Sequence, residues 1–126
     1  MKLAGAVAVF IGAGIGGALR YALGEWITDR WGASFPWHTL VINVAGAFLL
    51  GLLMALSVDR GLVSASTRLF LGVGVLGGFT TFSALAYESI VLFERGLLVQ
   101  GSANLLGSVV LGAVAVIAGL LVGQAV

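Results

Sequence analysis

The stretch Leu69-Phe-Leu-Gly72-Val-Gly74-Val-Leu-Gly77-Gly78-Phe79-Thr80-Thr81-Phe82-Ser83-Ala-Leu-Ala-Tyr-Glu88-Ser-Ile-Val-Leu-Phe93 decides the fold. It carries one charged side chain, Glu88, in a run longer than the about 20 apolar residues that a helix needs to cross the hydrocarbon of a bilayer. It therefore reads as a membrane-spanning helix. Two adjacent glycines followed by two threonines fall near its middle, where Gly-Gly weakens a helix. Lipid cannot satisfy the carbonyl and N–H groups that a break would free, so such a break has to be buried in protein, line a cavity or bind an ion. Transporters use discontinuous helices at the midplane in this way, with unwound carbonyls coordinating Na+. A tightly packed kink is the alternative for the same residues.

Working outward, three more apolar stretches have the length of a span: about Leu3 to Leu23, Thr39 to Val58, and Leu97 to Val122. The connectors are short, so consecutive helices should run antiparallel. The expected architecture is an all-α membrane protein in which residues 1–126 form one four-helix transmembrane domain. The opening Met1-Lys2-Leu3 has the look of a leader, but the stretch after it is glycine-rich and as long as a full span, so it reads as the first helix. The longest connector, Gly24 to His38, holds Trp26, Trp31 and Trp37 and is expected to lie along one interface, where tryptophan keeps its N–H wet.

Composition agrees. The chain is 60% hydrophobic and 9% charged, against about 25% charged in a soluble domain. It has no cysteine, hence no disulfide framework or thiolate metal site, and its one histidine is a poor metal ligand by itself. A net charge of +1 without a basic run offers nothing to nucleic acid. With no paired carboxylates inside a span, no catalytic constellation appears.

Small residues recur four apart, as Gly12 with Gly16, Ala13 with Gly17, Ala47 with Gly51, Ser108 with Gly112, and Gly119 with Gly123. In lipid such faces hold helices together by close backbone contact. Lys2, Arg60 and Arg68 would lie on one side of the membrane and Arg20, Arg30 and Arg95 on the other. Three against three gives the positive-inside rule nothing to act on. Copies inserted both ways can pair about a two-fold axis in the membrane plane, which predicts an antiparallel, dual-topology homodimer.

Polar groups inside spans are costly and mark function or interhelical hydrogen bonds. Thr39 and Asn43 share a face of the second span. Asn104 and Ser108 share a face of the fourth, with Ser108 a candidate for the lining of a pathway. Glu88 should face the protein interior or a vestibule, and Arg20 is a possible partner for it.

These motifs resemble the Fluc (CrcB) fluoride channels over nearly the whole chain. The matching pieces are Gly16-Gly17-Ala18-Leu19-Arg20-Tyr21, Trp37-His38-Thr39-Leu40-Val41-Ile42-Asn43-Val44-Ala45-Gly46, and Gly77-Gly78-Phe79-Thr80-Thr81-Phe82-Ser83 with Glu88. The resemblance implies a passive fluoride channel of the cell inner membrane that relieves fluoride toxicity, built as an antiparallel homodimer with two pathways. It implies that Asn43 and Phe82 lie along the pathway, that Thr39 and Ser83 are its polar lining, and that Arg20 is a structural arginine at the interface. It also implies a structural Na+ at the dimer centre, held by backbone carbonyls of Gly77 and Thr80. One departure is clear: the family carries a second phenylalanine where this chain has Leu85, and hydroxyls where it has Ala84 and Ala86. A small multidrug-resistance-type proton-coupled antiporter is the competing reading. It would need a carboxylate facing a substrate cavity, and Glu88 is the one candidate.

Overall fold

The computed structural model describes residues 2–126. Four helices in it are long and apolar enough to cross a membrane: Leu3–Trp31, Trp37–Asp59, Ala65–Glu94 and Leu98–Ala125. Helix α1 is Leu3–Trp31 and helix α2 is Trp37–Asp59. The third span is two helices, α3 over residues 65–79 and α4 over Phe82–Glu94, and α5 is Leu98–Ala125. The chain is a multi-pass membrane protein whose third span is interrupted.

Helix α1 runs about two turns past the expected end at Leu23. Apolarity falls at Glu25 and Asp29, but nothing breaks the backbone there, and Ile27 is buried by its neighbours. The stop comes at Gly32, whose φ of +82° is strained for any side chain and whose N–H closes onto the Thr28 carbonyl at 2.8 Å. At 29 residues, α1 is about 43 Å long, more than the ~30 Å of hydrocarbon, so its last turns stand in the headgroup layer. The connector expected from Gly24 to His38 therefore shrinks to residues 32–36. Its aromatic residues cluster there, with ring centroids 5.8 Å apart for Trp31 and Trp37 and 4.7 Å apart for Phe35 and Trp37.

Two glycine seams hold the bundle. Helix α1 lies against α3: a Cβ on Gly16 would overlap the Val75 carbonyl, and one on Gly12 would sit 2.7 Å from the Phe70 carbonyl oxygen. Helix α2 lies against α5, where Gly51 faces Val116, Gly119 faces Phe48, and Gly123 faces Ala55. Gly17 and Gly112, by contrast, have open space around the α-carbon, so not every expected small-residue pair is used within one chain.

The last turn of α5 is tied to the 59–64 turn. Arg60 donates to the Gln124 carbonyl at 2.9 Å, and the Gln124 amide donates to Asp59 at 2.8 Å. The same turn is braced by Ser57, which donates to the Val63 carbonyl at 3.0 Å and accepts from Arg68 at 3.0 Å.

The interruption does not sit at the glycines. Gly77 and Gly78 are helical, and the chain leaves the helix at Thr80 (φ −90°, ψ 159°) and Thr81 (φ −150°, ψ 118°). Extended dihedrals suit β-branched side chains, which lose rotamer freedom in a helix. Gly78 is small for another reason: a Cβ there would collide with the backbone of Ala13.

Candidate functional site

The break has a defined hydrogen-bond pattern. Thr80 ends α3, with both its N–H and its hydroxyl donating to the Leu76 carbonyl at 3.0 Å. Thr81 starts α4 as its cap, its hydroxyl accepting from the Ala84 N–H at 3.2 Å. In an unbroken helix the N–H groups of Thr81 and Ala84 would bond the carbonyls of Gly77 and Thr80. Both are committed elsewhere, which leaves those two carbonyls without a partner from the next turn.

Asn43 supplies what the helix gives up. Its Oδ1 accepts from the Thr81 N–H at 2.8 Å, and its Nδ2 donates to the Thr81 carbonyl at 2.9 Å. The amide thus acts as one residue of a β-bridge against an extended residue. Thr81's N–H can only donate and its carbonyl only accept, so the orientation of the amide is fixed by its partner. Asn43 keeps one Nδ2 hydrogen in reserve.

One turn earlier on α2, Thr39 is buried and donates to Glu88 Oε2 at 3.0 Å. His38 Nε2 stands 3.1 Å from the same oxygen. Arg20 does not meet Glu88. Its Nε donates to the Gly78 carbonyl at 3.2 Å, placing a cation at the carbonyl end of α3, where the helix dipole is negative. Thr39 and Asn43 thus form a polar line along α2, facing α4 at one level and the break at the next.

Phe82 and Leu85, one turn apart on α4, differ sharply. Phe82 is 79% exposed within the single chain, and Leu85 is 6% exposed. Both border an open groove of about 340 Å³ that also takes in Asn43, Gly77, Thr80 and Thr81. Ser83 sits beside the break, its hydroxyl 3.4 Å from that of Thr81.

Ser108 is buried on α5, and its hydroxyl has no partner among the described residues. Four residues before it on α5, Asn104 donates to Ser89 at 3.0 Å, and Ser89 donates to the Leu85 carbonyl at 2.7 Å. The structure thus brings Asn43, Thr80, Thr81, Phe82 and Ser83 together and joins Thr39 to Glu88. No hydrogen bond connects Ser108 to that group.

Sequence reasoning missed His38 as Glu88's neighbour. The usable signal was the rule that a carboxylate in a span must have a partner. Arg20 was the partner expected, and the histidine and threonine at the mouth of α2 were passed over.

Comparison with known proteins gives the same picture. Residues 7–120 match the family described as "CrcB-like protein, Camphor Resistance (CrcB)". A "Fluoride-specific ion channel FluC" from Thermus thermophilus is 45% identical over 117 residues, covering 93% of this chain and 91% of that protein. One of the same name from Agrobacterium fabrum is 46% identical over 116 residues, covering 92% and 93%. One from Roseiflexus sp. is 42% identical over 120 residues, covering 95% and 94%. Near-complete coverage on both sides, with the family match spanning all four helices, places this chain in the CrcB-like family.

Proposed function

We propose that the chain is the subunit of a passive, fluoride-selective channel of the cell inner membrane. The observation that carries this reading is the break at Thr80–Thr81, stitched to α2 by Asn43 in the middle of an apolar span. It gathers donors where lipid supplies none: the second Nδ2 hydrogen of Asn43 and the hydroxyls of Thr81 and Ser83. A small, tightly hydrated anion must exchange water for such donors to enter a dry passage. The ring edge of Phe82, the positive side of its quadrupole, adds a further favourable contact. Relatives that carry the name of a fluoride-specific channel over almost the full length support the choice of ion.

Two copies in opposite orientation complete the channel in this reading. A phenylalanine 79% exposed beside an open groove that contains the break fits a face that meets a second subunit. The Gly77 and Thr80 carbonyls offer only oxygen, which suits a hard cation. A Na+ held there by both subunits would bind the halves together and favour anions nearby by Coulomb attraction.

The test is efflux from proteoliposomes. Fluoride release dependent on valinomycin, followed with a fluoride electrode, should exceed chloride release by orders of magnitude. Uptake of a cationic dye should be absent. Equal fluoride and chloride release, or proton-driven dye uptake, would replace the channel with another kind of transporter. Tag accessibility on intact cells should find the C-terminus on both faces, and a one-sided result would remove the dual topology.

A further inference from the structure

Glu88 poses a problem for any anion pathway. It is a carboxylate on the span that contains the break, and its Oε1 is buried with no hydrogen-bond partner among the described residues. Two cavities meet at it. The outer one, about 240 Å³, opens beside the 32–36 connector and is lined by Tyr87 and Arg95. The inner one, about 190 Å³, is lined by Arg20, Tyr21 and Glu25 of α1 and reaches Thr81 at the break. Thr28, His38 and Glu88 line both. The His38–Glu88 contact therefore stands on the boundary between an opening at the connector and the space that leads to Asn43's partner.

Charge decides what that boundary does. Arg20 is turned to the Gly78 carbonyl, and Thr39 gives Glu88 a hydrogen bond but no charge. Among the described residues the one cationic group that pairs with Glu88 is His38, and only when protonated. Neutral His38 leaves a net negative boundary, whereas protonated His38 makes it neutral and offers both ring N–H groups as donors.

We propose that His38 is the charge compensator of Glu88, and that its protonation admits anions from the outer cavity to the inner one. The proposal rests on the channel reading above. Histidine changes charge between pH 5 and 8, so anion passage should rise as pH falls through that window. The other ionisable groups that line the two cavities are Arg20, Tyr21 and Glu25 on α1 and Tyr87 and Arg95 around α4.

The experiment is valinomycin-dependent fluoride efflux from proteoliposomes at symmetric pH between 5 and 8. Dependence on valinomycin separates ion movement from leakage of hydrogen fluoride. Wild-type efflux should increase at least about threefold from pH 8 to pH 5, and His38→Gln, which keeps a donor but cannot charge, should give a flat profile. His38 is the chain's one histidine, so ring-labelled protein yields a single titration curve by NMR. The midpoint of the efflux profile should coincide with that curve, and Glu88→Gln should flatten the profile, because the boundary then holds no carboxylate for His38 to compensate. A conducting wild type with a flat pH profile, or a pH profile that survives His38→Gln, overturns the proposal and leaves the channel intact. A wild type silent at every pH overturns both.

Discussion

The α2–α5 seam and the α2–α4 seam share a helix and are built on opposite principles. Toward α5, helix α2 presents Gly51 and receives Gly119 and Gly123, with backbone nearly touching backbone. Toward α4 and the break it presents Thr39 and Asn43, which reach across with hydrogen bonds of 3.0, 2.8 and 2.9 Å. In lipid the first arrangement gains dispersion and close fit, since the hydrophobic effect does not press helices together. The second satisfies polar groups that a continuous helix would have satisfied by itself. One seam holds the fold, and the other maintains a place where the fold is deliberately incomplete.

Substitutions can break that contrast, starting with the harshest. Gly119→Leu drives a side chain into the Phe48 carbonyl and the Leu52 amide. Overpacking against backbone should remove about 3 kcal/mol or more of stability. The expected readout is loss of monodisperse protein on size-exclusion chromatography, and normal yield would show that the seam is looser than described.

Asn43→Asp attacks the other seam. It keeps an acceptor for the Thr81 N–H, removes the donor to the Thr81 carbonyl, and adds a charge. Two like charges about 5 Å apart in a site of effective dielectric near 20 repel by about 3 kcal/mol, a ~100-fold effect on anion passage. Folded protein with fluoride efflux reduced about that much is expected, and unchanged efflux would confine Asn43 to scaffolding.

Phe82→Ile should separate function from stability more cleanly, because an exposed ring contributes little to the packing of its own chain. A thermal midpoint near wild type with efflux down about fivefold corresponds to ~1 kcal/mol of ring-edge interaction. Gly112→Ala should do least. The α-carbon is open, so a methyl fits, and the change in stability should stay within about 1 kcal/mol. Loss of dimer on crosslinking would reveal that this face is closed by a second copy.

The four spans were legible because apolar length is a property of each segment alone. Their ends were less so. Helix α1 continues through Glu25 and Asp29 because headgroups tolerate charge while the backbone ladder persists, and only Gly32 stops it. The location of the break was misjudged by a few residues for a related reason. Gly77-Gly78 signals weak helix propensity, yet Gly78 is small to admit Ala13 of another helix, a neighbour invisible along the chain. The chain departs there because Asn43, 38 residues before Thr81, is in place to bond both backbone groups of Thr81. Asn43 and Thr39 stood out as polar groups at membrane depth, but their partners lay 38 and 49 residues away, beyond any local pattern.

The Asn43–Thr81 bridge also has a direction in time. A chain is made from its N-terminus, so the helix that carries Asn43 leaves the ribosome before the one that carries Thr81. When Thr81 enters the bilayer, the amide that replaces its helical partners is already in the membrane. In the reverse order the span could open only by leaving a bare N–H and carbonyl in hydrocarbon, at several kcal/mol for each group, so it would have to stay closed until the next span arrived. Placing the donor–acceptor side chain upstream of the break lets the third span enter as a plain helix and open only against a partner already present.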